Sequence, residues 1–474
     1  MSFLKQHYFS QEKFVILFLS AFLLFNVLLA YYSNGTYESG DSIQHYLIAR
    51  YSFIHPQLFL DHWGKPIFTL LASPFAQFGF FGICLFNILC ATITGFVAYR
   101  TATHLKINYA FLAPIFILFI PIYFVTLISG LTEPLFALVL LAGVYFLIRQ
   151  KITFASIIVS LLPFIRTEGF LLLPLFAVAF IIQRKYVQCL LLLTGSIVYS
   201  IGGFFYYHTF FWIWTENPYT GAKEIYGSGD LFHFISKNEF ILGLPIVCLF
   251  LLGIIGCIMQ RTKHSISELI LIPGIFFSYL FAHSIFWWKG LYGSLGLIRV
   301  MAAVTPLAGL IALRGLNLIT NFFTKKIPLH YLKINALITI LIVLLICWMP
   351  FKQHTFPRSL GYEDEVVKQA ADWIKQNQST ASNYSYQYPY FSVFLNIDPF
   401  NNYQYIPLWS FKLEKSARGS IIIWDNHYGL NEAKMPLNTL TGNPSFELLA
   451  TFKGDPAKTP SDKELFELYV FKVK

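Results

Sequence analysis

Residues 14–32 read FVILFLSAFLLFNVLLAYY, an apolar run that follows Lys5 and Lys13. A helix needs roughly 20 such residues to cross a bilayer. The run is too long for a signal-peptide core and ends without a small-x-small cleavage site, so it reads as a retained signal anchor. Comparable runs recur at 78–99, 109–128, 133–148, 152–165, 169–183, 187–211, 239–259, 266–286, 294–313 and 334–350. Together they predict an α-helical polytopic membrane protein with about eleven transmembrane helices. Composition agrees: 56% of the chain is hydrophobic, 18% aromatic and only 12% charged, against roughly 25% charged residues in a soluble domain.

Alternate loops hold Arg100/Lys106, Arg149/Lys151, Arg184/Lys185, Arg261/Lys263 and Arg314/Lys325/Lys326/Lys333. With Lys5 and Lys13 these mark the cytoplasmic side by the positive-inside rule. That topology explains the net charge of +10, and no basic stripe interleaved with aromatics points to nucleic acid. Cys84, Cys90, Cys189, Cys248, Cys257 and Cys347 all lie in apolar runs, which excludes a disulfide framework after residue 350. The N-terminus is then inside and residues 351–474 outside.

The outer side collects the ionisable residues that apolar runs do not explain: Asp41, Lys65, Glu133, Arg166, Glu168, Glu216, Glu224 and Lys289. Such groups at membrane depth are expensive and mark function. In the first outer loop, 33–77, Ile43, Tyr46, Leu47, Tyr51 and Ile54 follow helical spacing and leave Gln44, His45 and Ser52 on other faces. That predicts an amphipathic helix suited to the interface plane. A second helix is expected after Lys65-Pro66. Asp41 has two readings of equal weight, an N-cap completed by Gln44 and a catalytic carboxylate. Lys65 reads as a snorkelling anchor or a phosphate ligand, and Glu133 as a first-turn acid beside Pro134 or a site residue. Arg166 and Glu168 read as a structural ion pair or as function. Arg299, inside an apolar run, needs a partner or an anionic ligand. His283 and the Trp/Tyr clusters at 206–219 and 287–292 are expected in the interfacial belt.

Glu38-Ser-Gly-Asp41-Ser-Ile-Gln-His, then Asp61-His-Trp-Gly-Lys65-Pro66-Ile-Phe, resembles the first outer loop of the GT-C membrane glycosyltransferases. The likeness is to the family-39-like branch, with the protein O-mannosyltransferases and the aminoarabinose transferase of lipid A. Ser129-Gly-Leu-Thr-Glu133-Pro134 resembles that branch's second acidic position, with Glu for the more usual Asp. Leu297-Ile-Arg299 through Pro306 resembles its late Arg-containing span, whereas Phe164-Ile-Arg166-Thr-Glu168-Gly169 stands where the branch has a Lys-Gly-Pro stretch. No Asp-Glu pair stands at Asp41, and the Lys-Pro-Pro pattern is reduced to Lys65-Pro66.

The resemblance implies a GT-C-like transmembrane domain over 1–350, with interfacial helices in the 33–77 loop; the polarity of the spans and the helix and strand pattern after them predict an extracytoplasmic α/β domain over 351–474. It implies inverting transfer of a sugar from a polyprenyl-phosphate donor to a lipid, glycan or protein acceptor. Asp41 would be the base and Glu133 a second acid that orients acceptor or sugar. Lys65, Arg299 and Arg166 would hold the donor phosphate, with Glu38, His45, His62 and Glu168 as further substrate contacts. His45 follows Asp41 by one turn, the spacing of a shared divalent metal, but the branch works without one and no cofactor is expected. The setting expected is a bacterial inner membrane, with membrane lipids as neighbours. A transporter or flippase, or a non-catalytic assembly subunit of the same fold, are the alternatives. No internal repeat favours transport.

In the C-terminal segment Glu363–Gln376 predicts an amphipathic helix. Ser420-Ile-Ile-Ile-Trp424 predicts a buried strand, and Phe446–Phe452 and Leu465–Val473 further strands. No nucleophile motif, phosphate loop or metal spacing accompanies them.

Overall fold

Proline and burial decide how the apolar runs fold in the computed structural model. It describes residues 2–216, 227–259, 266–324, 330–378, 381, 383–412, 417–461 and 463–474. Glu224, Arg261, Lys263, Lys325 and Lys326 lie outside the described residues, as do 217–219 of the first aromatic cluster. The chain divides into two compact units, one of Met1–Tyr32 and Phe59–Pro357, the other of Ser33–Leu58 and Arg358–Lys474.

The first unit is a helical bundle. Among the described residues, six helices are long and apolar enough to cross a membrane: Ser10–Tyr32, Phe80–His104, Tyr186–Tyr207, Ile266–Lys289, Ile298–Asn321 and Asn335–Gln353. Shorter apolar helices include Pro66–Ala76, Glu133–Ile148, Ile152–Phe164, Gly169–Ile182 and Leu244–Met259. The protein is an integral, multi-pass membrane protein. Helix α1 (Ser2–Tyr32) packs on α4 (Phe80–His104), and turns Leu17 and Leu24, 72% and 62% exposed, away from the bundle.

The run expected as one span at 109–128 is broken. It forms α5 (Ala113–Leu118) and α6 (Pro121–Thr126), because Pro121 offers no backbone donor to continue a helix and suits a first turn. Phe116, Tyr123 and Phe124 are buried here. This segment lies in the interior of the bundle, where neighbouring helices can satisfy an interrupted backbone. The unit also holds α3 (Pro66–Ala76), with its proline in the first turn as expected, and α7 (Glu133–Ile148).

The second unit is built on a five-stranded sheet of order β2-β1-β3-β5-β4, with β1 (Tyr384–Tyr386), β2 (Tyr405–Pro407), β3 (Ile421–Asp425), β4 (Phe446–Lys453) and β5 (Glu467–Val473). β1 pairs in parallel with β2 and β3, while β5 runs antiparallel to β3 and β4. The central position of β3 accounts for its continuous apolar sequence, since both faces are covered. One face packs Ile422, Trp424, Phe446 and Phe471 with Leu408 and Leu440. The helix Tyr362–Asn377 buries Val366, Val367, Ala370 and Ile374.

Helix α2 (Ser39–Tyr51) belongs to this unit. Its far end is held by a Tyr51 hydroxyl that donates to the Ile397 carbonyl at 3.3 Å, followed by His55 against Asp398 at 2.8 Å. The expected one-sided pattern is not what forms. His45 and Ser52 are buried together with Ile43, Tyr46 and Leu47, and Ile54, past the helix end at Tyr51, is 66% exposed. Glu38 caps the helix with φ 55° and no side-chain cap bond, so Asp41 sits in the first turn and is not the N-cap.

Asp425 closes β3 with 1% exposure. Its Oδ1 accepts from the amides of His427, Tyr428 and Gly429 at 3.0, 2.6 and 3.3 Å, and its Oδ2 has no hydrogen-bond partner among the described residues. Burial pushes the carboxyl up to about 6. A pKa raised above the unfolded value gives stability that is full at pH below about 4 and lost as pH rises through about 6. Asp425→Asn keeps the Oδ1 acceptor and removes the titration. Its stability relative to wild type should therefore improve by up to ~3 kcal/mol between pH 4 and 8, at about 1.4 kcal/mol per pH unit. Thermal unfolding of the full chain in detergent at both pH values measures this, and parallel pH profiles would refute it.

Candidate functional site

Burial of a carboxylate in a bundle interior demands positive charge beside it. Glu133, the first residue of α7, has no solvent exposure. Its Oε1 lies 2.6 Å from Arg166 Nη1 and 2.9 Å from Arg299 Nη1. Arg166 also donates to Thr132 Oγ1 at 3.1 Å and to Glu168 Oε1 at 2.8 Å. Both arginines are buried, 8% and 4% exposed. Three segments converge here: the start of α7, the turn at 165–168, and the 3-10 helix Ile298–Val304.

Each segment has a local reason for its shape. Asn87 of α4, fully buried, donates from Nδ2 to the carbonyls of Ser129 and Leu131 at 2.6 and 2.9 Å, which fixes the turn that delivers Thr132 and Glu133. Gly169 packs on the backbone of Leu162 and Pro163, where a Cβ would stand 2.4 Å from both. No larger residue lets the 162–169 turn close and carry Arg166 inward.

Lys65 is buried and donates from Nζ to Thr167 Oγ1 at 3.1 Å. Its backbone sits at φ 61°, ψ 106°, a strained conformation costing about 1–3 kcal/mol outside glycine. The Asp61 carboxylate, which accepts from the Gly64 amide at 2.7 Å, shapes that turn. Lys65, His62, Thr167, Phe170 and Trp212 line a small cavity. Burial pushes the His62 imidazole below its usual pKa, and its Nε2 lies 3.3 Å from the Trp212 carbonyl. Trp212 departs from the expected belt: it is 1% exposed, whereas Trp214 and Tyr292 are 58% and 66% exposed.

Glu133, Arg166, Glu168, Arg299 and Lys65 thus fall in the helical unit, with His62 beside Lys65, while Glu38, Asp41 and His45 fall in the sheet-bearing unit. Sequence reasoning missed Thr132, Thr167 and Asn87, whose types carry no signal until the turns are built. It also set His283 at the interface. His283 is 5% exposed, 3.8 Å from Glu168 Oε1, with its ring 4.5 Å from that of buried Tyr279. The ion-pair reading of Arg166 and Glu168 and the need of Arg299 for a partner are both met in the structure, through a shared network. Glu133 Oε2, Arg166 Nε, Tyr279 Oη and His283 Nε2 are buried without a hydrogen-bond partner among the described residues. Each retains capacity for a further polar contact.

No family model matches the chain, and no curated protein does. Among solved structures, ArnT from Cupriavidus metallidurans bound to undecaprenyl phosphate superposes at TM-score 0.61 with 11% identity, over 96% of this chain and 97% of that one. The apo state of the same protein gives 0.58, with the same identity and coverage. The chain has the GT-C fold. Arabinofuranosyltransferase AftD from Mycobacteria is also matched, at TM-score 0.49 and 12% identity, over 96% of this chain and 40% of its own. At such identities the GT-C likeness concerns the path of the chain, and the site rests on the side chains themselves.

Removing one member of a buried charge network costs about 3–5 kcal/mol. Glu133→Gln takes the shared carboxylate from two buried arginines and should lower the unfolding temperature in detergent markedly. Glu168→Gln, whose side chain is 20% exposed and which leaves Arg166 on Glu133, should cost less. Equal effects, or a Glu133→Gln protein as stable as wild type, would contradict the network.

Proposed function

We propose that this protein is a membrane glycosyltransferase. It moves a sugar, with inversion, from a polyprenyl-phosphate donor to a hydroxyl of a lipid, glycan or protein acceptor. The reaction takes place on the extracytoplasmic face of a bacterial inner membrane, with residues 351–474 outside the cytoplasm. The observation that carries the reading is the buried charge cluster of the bundle. Lys65, Arg166 and Arg299 are buried in the same bundle as the carboxylates of Glu133 and Glu168, and three buried cations of this kind suit a lipid phosphate. The GT-C fold, and the undecaprenyl phosphate bound by ArnT, support the same ligand class.

In this reading the acceptor oxygen attacks the anomeric carbon, the bond from that carbon to the phosphate oxygen breaks, and the phosphate leaves with the electron pair. Asp41 takes the acceptor proton. Lys65, Arg299 and Arg166 stabilise the charge that develops on the phosphate, and arginine can hold two oxygens at once. Glu133, already engaged by both guanidinium groups, serves to hold them in place and keeps one oxygen for a polar contact. His62 and Glu168 stand at the edge of this set as substrate contacts, with Glu38 and His45 flanking Asp41 on α2. No step requires a metal.

Purified protein in detergent, given a panel of radiolabelled polyprenyl-phosphate sugars and a membrane extract as acceptor, tests the proposal. Wild type should consume one donor, and Asp41→Asn should lose at least about 100-fold in rate, as expected on removing a general base. Turnover retained by Asp41→Asn would take the base role from Asp41. No turnover of any donor by wild type would favour transport or scaffolding.

A further inference from the structure

The sheet-bearing unit brings α2 against a polar cluster that belongs to no catalytic motif. Gly40, one residue before Asp41, lies against the hydroxyl of Tyr428, where a Cβ would stand 2.6 Å from the phenol oxygen. Ser39 reaches the Asp364 carboxylate from the same turn, and Asp41 is among the negative charges acting on the Tyr428 hydroxyl, with Glu432, Glu363 and Asp425. The first turn of α2 has no side-chain cap bond of its own. Ser42 ties it to the preceding chain, donating to the Tyr37 carbonyl at 2.8 Å and accepting from Thr36 Oγ1 at 3.2 Å, and the Tyr428 contact at Gly40 supports it from the other side.

Tyr428 is itself fixed from several directions. Asp425 Oδ1 gathers the amides of 427, 428 and 429. The Tyr428 ring stacks on His427 at 4.4 Å and meets Tyr388 edge-on at 4.9 Å. His427 Nδ1 lies 2.7 Å from Glu363 Oε2, and the Tyr388 hydroxyl donates to Asp364 Oδ1 at 2.8 Å. Tyr362 donates to the other oxygen of Glu363 at 2.8 Å. The helix Tyr362–Asn377, the end of β3 and the 427–429 turn thus clamp one phenol, and that phenol supports the Asp41 turn.

We propose that Tyr428 is a positioning residue for Asp41, so that residues of the C-terminal segment fix the carboxylate within their own unit. This rests on the reading of Asp41 as the base. Displacing a reacting group by about 1 Å can cost 100-fold in rate, and a support one residue away in the chain controls displacements of that size.

Two readouts separate this proposal from the transferase reading. The first is hydrogen exchange of the 38–46 amides in full-length protein, which needs no substrate. Tyr428→Ala and Gly40→Ala should each speed it about tenfold or more, while the β3 and β5 amides keep their protection. The second is kinetic: both variants should lose about tenfold or more in kcat with donor KM changed less than about threefold. The compensating pair decides: in Gly40→Ala with Tyr428→Phe the added methyl no longer meets the phenol oxygen, so exchange protection should return, and kcat should recover most of what Gly40→Ala loses. Exchange at 38–46 unchanged by Tyr428→Ala, or a double variant no better protected than Gly40→Ala, overturns the proposal. If wild type turns over no donor, the exchange arm alone still decides whether Tyr428 fixes the turn, and the transferase reading fails separately.

Discussion

Glu133 carries a carboxylate with no exposure to solvent, deep among apolar helices, and that charge is tolerated only because two guanidinium groups converge on one of its oxygens. Several kcal/mol of desolvation must be offset for each buried ion. Three segments far apart in sequence are thereby tied together: the start of α7, the 162–169 turn, and the 3-10 segment before the helix Thr305–Thr324. The break at Pro121, the amide of Asn87 on the 129–131 carbonyls and the close packing at Gly169 all serve to bring these ends to one place. A network of this kind adds little net stability over apolar packing. In the proposed function its use is to keep cations dry and preorganised for an anionic ligand.

The second unit extends the same logic with neutral and charged groups at the edge of a sheet. The α2 turn that bears Asp41 is not self-capped and leans on Tyr428, which is clamped by the Asp425 turn and the His427–Glu363 pair. Burial holds Asp425 at about 6, while the Glu363 partner overcomes burial and raises the His427 pKa. The segment after residue 358 thereby supports the α2 turn within its own unit, which its sequence alone does not announce.

Apolar runs and charge positions made the bundle, the strands β3, β4 and β5, and the helix at 363–376 legible, because burial and periodicity are written locally. β1 and β2, three residues each, were not, since such short strands gain their identity only from pairing, β1 with β3 and β2 with β1. The ionisable residues could be picked out one by one as costly at membrane depth, yet their partnerships could not. Nothing in the chain says that Glu133 meets Arg299 across 166 residues, or that Thr132 and Thr167 serve as hydroxyl partners of Arg166 and Lys65. The turn geometry that makes those contacts depends on Asn87 and Gly169, residue types that occur everywhere.

In the proposed function the buried cations of the bundle hold a lipid phosphate. Native mass spectrometry of the detergent-purified protein titrated with undecaprenyl phosphate, wild type against Lys65→Met, tests it most directly. Wild type should form a one-to-one complex that weakens at least about tenfold in the variant, the loss expected for one charge-assisted contact. Equal binding by both proteins, or none by wild type, would contradict it.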